Sequence, residues 1–271
     1  MIIRWLKSLL ARIANSHPYI WFVAWRIVPH LTFLLPHEKS YYGFRHLAVK
    51  KGGLFLDVGA NIGSSALGFR RLVPDYRIFS IEANRYHEPA LGRLKRRIDN
   101  FDYRIVGAGR ERGQLVLNTA TYKGVYLHTG ASLDLEHAQE GYAHYFPQSV
   151  VKKITWTQQN VDVIPLDDLH MQPDIIKIDA EGFDLQVLLG LSQTIAACRP
   201  HVLIEYNSTM RARLEAFSQE MAYQLFAYDH VRDCFVSFDK QHELEIHPDQ
   251  GTPLNIFLIP SEAASSLPYC R

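Results

Sequence analysis

An acid, a glycine turn and a second acid open the chemically informative part of this sequence. Asp57 lies within the apolar run Leu54-Phe55-Leu56-Asp57-Val58, and Gly59-Ala60-Asn61-Ile62-Gly63 follows at once. Glu82 closes the next apolar run, nineteen residues beyond Gly63. Glycines at a strand-to-helix turn let the backbone approach a ligand, and the free N–H groups that open the helix can serve its polar atoms. A carboxylate at the end of the second strand can accept hydrogen bonds from both hydroxyls of a ribose. Asp57, Gly59, Asn61, Gly63 and Glu82 are therefore the candidate binding set for a nucleoside-bearing cofactor. The spacing is not the G-x-G-x-x-G dinucleotide fingerprint, because three residues separate Gly59 from Gly63 and the third glycine is out of register. That disfavours a nicotinamide dehydrogenase.

A second group of polar residues could handle an acceptor. Asp179 follows the strand-like run Ile175–Ile178, with Glu181 and Gly182 just beyond it. Either carboxylate could take a proton from a reacting hydroxyl, which makes Asp179 and Glu181 the catalytic candidates. Alternatively, Asp179 walls the site and Glu181 caps the helix that follows. Glu205 and Asn207 end the next apolar run and are candidate substrate contacts. With Asp179 they could instead offer oxygen ligands to Mg²⁺ or Ca²⁺, a metal-assisted alternative, though no metal motif supports it. His128 and His144 lie in or near a stretch with His137, Tyr126, Tyr142 and Tyr145, where aromatic faces suit a flat or sugar-like acceptor. The plainer reading of that stretch is a polar surface loop.

These residues need a scaffold that brings strand ends together. Apolar runs at 54–58, 78–81, 103–106, 175–178, 201–205, 224–228 and 255–259 alternate with helical stretches at 64–73, 87–98, 183–190 and 210–221. That rhythm predicts an α/β domain with a mostly parallel sheet covered by helices on both faces. Between them, 115–117 and 150–156 are expected as strands and 123–148 as a long loop, the extended kind that often serves as a lid. The expected organisation is a helical N-terminal extension over 1–50, then one domain over 51–271 with an insertion around 110–160.

Composition bounds the alternatives. With 271 residues the chain can bury a large core, and a net charge of +1 gives no general case for nucleic acid as a partner. Residues 1–50 carry seven Lys or Arg against one acid, Glu38. Ile2, Trp5, Leu6, Leu9, Leu10 and Ile13 recur at helical spacing, so this segment is expected to pack on the domain or at an oligomer contact. The alternative is a peripheral membrane contact through a basic amphipathic helix. The apolar run from Tyr19 to Trp25 is too short for a span. Cys198, Cys234 and Cys270 have neither metal spacing nor a disulfide framework, and isolated thiols suit a cytoplasmic protein.

Several stretches in order resemble one family. Phe55-Leu56-Asp57-Val58-Gly59-Ala60-Asn61-Ile62-Gly63 resembles the cofactor loop of FkbM-type methyltransferases. Ile176-Lys177-Ile178-Asp179-Ala180-Glu181-Gly182 resembles their second signature, with Val187-Leu188-Leu189-Gly190 after it. Val161–Leu169 and Arg199–Glu205 also fit, so the similarity runs from about residue 53 to 259. It implies the class I methyltransferase variant of the Rossmann fold and S-adenosylmethionine as cofactor. By that resemblance Asp57 and the Gly59–Gly63 turn contact the cofactor and Glu82 takes its ribose. It further implies O-methylation of a small-molecule, saccharide or natural-product acceptor. Glu82-Ala83 departs from the family's usual Glu-Pro. Because a fold proves no chemistry, a non-catalytic cofactor-binding module is the competing class.

Overall fold

The computed structural model describes residues 38–47, 50–122, 125–127, 131, 135–136, 139, 142–143, 148–238 and 254–270. The amphipathic pattern of residues 2–13 and the run 19–25 lie outside the described residues. So do His128, His137, His144 and Tyr145.

Short runs of β-branched and aromatic residues become strands, each ended by a turn-former or an acid. The large sheet uses β1 (Leu54–Val58), β2 (Arg77–Glu82), β3 (Phe101–Ile105), β8 (Ile175–Ile178), β9 (His201–Tyr206), β10 (Tyr223–Asp229), β11 (Cys234–Ser237) and β12 (Leu254–Pro260). Its order is β11-β10-β12-β9-β8-β1-β2-β3. Strands β3, β2, β1, β8 and β9 run parallel, while β12 enters antiparallel between β9 and β10. Strand order reverses between β1 and β8, where a doubly wound sheet opens a crevice at the carboxyl ends. This is a doubly wound, Rossmann-like sheet.

Alternation along the central strands divides the core into two layers. Phe55, Ile78, Ile175, Leu203 and Phe257 point to one face, and Leu56, Ile81, Ile176, Val202 and Ile204 to the other. Helices α1 (Phe44–Leu47), α2 (Ser64–Leu72) and α3 (Glu88–Lys95) lie in the first half of the chain. Phe44 reaches the rings of Phe55, Phe69 and Phe257 at 5.6, 5.2 and 5.7 Å, so α1 belongs to the first core layer.

The expected insertion is a second sheet. Strands β4 (Gly107–Ala108), β5 (Gly113–Tyr122), β6 (Val125–Tyr126) and β7 (Ile154–Ile164) are ordered β4-β7-β5-β6. Gly113–Tyr122 pairs antiparallel with Ile154–Val163 along its whole length. The expected strand at 150–156 is shifted: α4 (Gln148–Val151) comes first and β7 runs on to Ile164. Its centre, Thr157–Asn160, is polar because that stretch lies over no core, which hides the strand from a search for apolar runs.

Helices α5 (Asp184–Leu189) and α6 (Ser192–Cys198) follow β8, and α7 (Arg211–Glu220) follows β9. One expectation fails outright. Cys234 and Cys270 are disulfide-bonded and only Cys198 is free, so the thiols are not all isolated. Phe235 pairs with Tyr269 in a parallel bridge, which brings the last residues beside β11 although thirty-six positions separate the cysteines. Among the described residues, no helix is long and apolar enough to cross a membrane.

Candidate active site

A cavity of about 270 Å³ opens at the carboxyl ends of β1, β2 and β8, beneath the small sheet. Gly59, Asn61, Glu82, Asp179 and Glu181 all line it. Leu115, Leu117, Val161 and Val163 of the small sheet form an apolar wall.

The glycine turn is fixed by its neighbours. Gly59 and Ala60 donate their N–H groups to the Ile81 carbonyl at 2.9 and 3.1 Å. Gly59 has φ +79°, and a Cβ there would lie 1.7 Å from the Asp179 carbonyl oxygen. Only glycine fits where two backbones pass so closely. Gly63 is the N-cap of α2.

Glu82 is buried and its two oxygens are occupied separately. Oε2 accepts from the Asn61 N–H at 2.6 Å and Oε1 from the Asn84 N–H at 2.8 Å. His87 Nδ1 lies 3.4 Å from Oε1. The carboxylate thus ties the glycine turn to the end of β2 while facing the cavity. The small sheet reaches the same point, since Gln159 Nε2 donates to Asn84 Oδ1 at 2.7 Å and Asn84 Nδ2 bonds the Tyr126 hydroxyl.

Asp57 does not reach the cavity surface. It is fully buried, and its Oδ2 accepts from Ser65 Oγ at 2.7 Å and Ser80 Oγ at 2.9 Å. Register explains this: Asp57 sits beside Ser80 on β2 and Lys177 on β8, on one face of the sheet. Direct cofactor contact by Asp57, as the family resemblance implies, is therefore corrected to a supporting role beneath the turn.

Lys177 is the residue that sequence reading passed over. Its ammonium is buried, 3.0 Å from Asp179 Oδ2 and 3.8 Å from Asp57 Oδ1, and donates to the Gly59 carbonyl at 3.0 Å. Burial alone would lower its pKa, but the carboxylates of Asp179 and Asp57 outweigh that and hold it charged, well above the ordinary value. Burial pushes Asp57 upward against the pull of Lys177 and the two serines. The lysine direction is the firmer, because two carboxylates and two carbonyl oxygens face the ammonium. A lysine inside an otherwise apolar strand was the available signal, since lysine is almost never fully buried without a partner. Tyr41 also lines the cavity, with burial raising its phenol pKa so that the hydroxyl keeps its proton. No motif pointed to it.

Asp179 and Glu181 sit differently on the cavity wall. Asp179 is engaged by Lys177 through its Oδ2 at 3.0 Å. Glu181 is exposed at the mouth with φ +49°. Surrounding protein, then the charges of Asp179 and Asp184, push its carboxyl up to about 7. Glu181 does not cap the following helix, whose N-cap is Phe183 with no side-chain cap bond; Asp184 ties the turn, accepting from the N–H groups of Ala180 at 2.8 Å and Gly182 at 3.1 Å.

The remaining candidates lie apart. Glu205 is not on the cavity wall; burial and the charges of Asp179, Asp184 and Glu181 raise its carboxyl to about 9, leaving it protonated at neutral pH. Asn207 caps the turn after β9, its side-chain oxygen accepting from the Thr209 N–H at 3.1 Å, and it too lies off the wall. Of the suggested oxygen trio, Asp179 is engaged by Lys177 and the Asn207 side-chain oxygen by Thr209. Among the described residues, no group of three His, Cys, Asp or Glu side chains could hold a metal ion.

Comparison with known families decides between scaffolds of this kind. The methyltransferase FkbM domain model matches residues 57–237. The chain belongs to the FkbM methyltransferase family. The match begins at Asp57 and takes in Glu82 and the second signature through Glu205, so the FkbM domain contains every cavity carboxylate described above. A solved FkbM methyltransferase from Methylobacillus flagellatus KT superposes with a TM-score of 0.51 at 19% identity. The comparison covers 85% of this chain but 50% of that one, so this chain spans half its length. Fibrillarin from Aeropyrum pernix, solved with natively bound S-adenosyl-L-methionine, is similar at 12% identity and a TM-score of 0.41, covering 82% of this chain and 77% of its own. No curated protein matches the sequence.

Proposed function

We propose that this FkbM-family chain transfers a methyl group from S-adenosylmethionine to a hydroxyl of a small-molecule, saccharide or natural-product acceptor. The observation that carries this reading is one cavity shared by the Gly59 turn, the Glu82 carboxylate and the Asp179–Glu181 loop.

The residues suit the cofactor. Glu82 would take the ribose hydroxyls, Gly59 gives the close backbone approach, and Val106, Val161 and Val163 offer an apolar surface to a flat base. Carboxylates from Glu82 and Asp179 favour a ligand carrying an ammonium and a sulfonium. When bound, S-adenosylmethionine supplies an electrophilic methyl group and needs only an aligned nucleophile. Glu181 is assigned the proton from the acceptor hydroxyl, because its pKa lies near neutrality while Asp179 is engaged in an ion pair with Lys177. Lys177 and Asp179 hold the floor of the site in place.

A pH profile of methyl transfer tests this assignment, with the acceptor found by screening sugar and natural-product hydroxyls. A base must be deprotonated to act, so the rate should climb through about pH 7, by about tenfold from pH 6 to 8. Glu181→Gln should remove that limb and slow transfer by about 10²-fold or more while binding S-adenosylmethionine normally. An unchanged profile in the variant would take Glu181 out of the chemistry. Retention of cofactor with no transfer to any acceptor would instead favour a binding module.

A further inference from the structure

A second cleft, of about 420 Å³, lies on the other side of the apolar wall from the cofactor cavity. Ala83, Val106, Val161 and Val163 contribute to both. Three arginines from three separate segments line it: Arg85 from the turn after β2, Arg104 from β3, and Arg112 from the turn before β5. The only carboxylate on its lining is Asp162, whose Oδ1 accepts from Gln114 Nε2 at 2.8 Å. Arg112 is held by Asp168 at 2.7 Å. Arg85 and Arg104 are exposed and engage no side chain among the described residues.

Gathering like charges in a concave site raises the local potential and is relieved by an anion. Arginine forks match the oxygens of phosphate bidentately, and such charge-assisted bonds are the strong ones. Asn160 and the Gly113 backbone add polar groups to the same cleft. The Arg93, Arg96 and Arg97 cluster differs, since it lies on the outer face of α3 and the turn beyond it and lines no part of the cleft.

We infer that the cleft bounded by Arg85, Arg104 and Arg112 is an anion site, separate from the cofactor cavity, for a soluble ligand bearing a phosphate or pyrophosphate group. Nothing in this inference depends on the acceptor or on methyl transfer.

Calorimetric titration of inorganic pyrophosphate into the full chain at low salt is the test, with S-adenosylhomocysteine saturating in a parallel run. Wild type should bind pyrophosphate in both runs. Arg85→Gln and Arg104→Gln should each weaken binding by about tenfold or more. The lysine versions, which keep charge but lose the fork, should fall between. Arg93→Gln with Arg97→Gln should change little, which separates the cleft from general surface charge. Arg85 and Arg104 are exposed and engage no side chain among the described residues, so the variants should melt as wild type does. The inference is overturned by no binding at millimolar pyrophosphate, by competition with S-adenosylhomocysteine, or by equal weakening in the Arg93/Arg97 variant. It is also overturned if phosphatidic acid vesicles bind through Arg85 and Arg104 while pyrophosphate does not, since the anion source would then be a membrane surface.

Discussion

Gly59→Ala should lose both S-adenosylmethionine binding and at least about 3 kcal/mol of stability. The added methyl would sit 1.7 Å from the Asp179 carbonyl oxygen, in backbone that cannot swing aside as a side chain would. To relieve the clash, β1 must part from β8 at the point where both feed the cavity. Gly182 provides the internal comparison. It has a similar φ of +89°, but nothing lies within 4 Å of its would-be Cβ. Gly182→Ala should therefore cost only the left-handed backbone penalty, about 1–2 kcal/mol, and leave cofactor affinity close to wild type. Chemical denaturation of both variants separates the contributions. Equal losses would mean that the dihedral, and not the close approach to Asp179, sets the requirement for glycine at 59.

Removing the ammonium of Lys177 should be nearly as severe. In Lys177→Met, Asp57 and Asp179 lose their shared counter-charge, and Asp57 has no route to solvent. Breaking a buried pair by deleting one partner costs about 3–5 kcal/mol. The pH dependence follows from the direction of each shift. The pKa of Lys177 is raised by folding, so its stabilisation is complete below the ordinary lysine value of 10.5 and is lost as pH climbs through the folded value. In the variant, Asp57 is raised further by the missing positive charge. A raised carboxyl destabilises the fold as pH rises above its unfolded value, so the deficit should be smaller at pH 5 than at pH 8. Urea melts of wild type and variant at both values measure this. A deficit that does not change with pH would show that losing Lys177 does not alter the titration of Asp57 between pH 5 and 8.

The parts of the fold legible in the sequence were those whose burial is two-sided. β1, β8 and β9 read as mostly apolar runs, interrupted at Asp57, Lys177 and Glu205, because helices cover both faces of the central sheet. The small sheet gave no such signal. Thr157-Gln158-Gln159-Asn160 supplies four of the ten consecutive pairings with β5, yet its side chains are exposed or partly so. Backbone hydrogen bonding, invisible in residue type, makes that strand. The site was legible in the same uneven way. Gly59 and Glu82 announced themselves by position, and both line the cavity. Asp57 had the right position too, but strand register turns it toward Ser80 and Lys177, which only the paired strands reveal. Tyr41 comes from a segment with no motif and enters the site through the packing of Phe44 on Phe55 and Phe69. Cys234 and Cys270 could not be matched by spacing, because the Phe235–Tyr269 bridge that joins them is a tertiary contact.

The central claim is that the cavity between the Gly59 turn and Glu82 holds S-adenosylmethionine. Calorimetric titration of S-adenosylhomocysteine into wild type, Glu82→Gln and Glu82→Ala, beside NAD into wild type, addresses it most directly. Wild type should bind S-adenosylhomocysteine and not NAD. Both variants should bind at least about tenfold more weakly, the loss of a charge-assisted contact to the ribose. Glu82→Ala should lose more than Glu82→Gln, because it also releases the Asn61 and Asn84 amides that shape the turn. Equal affinity in all three proteins, or binding of NAD in place of S-adenosylhomocysteine, would contradict the account.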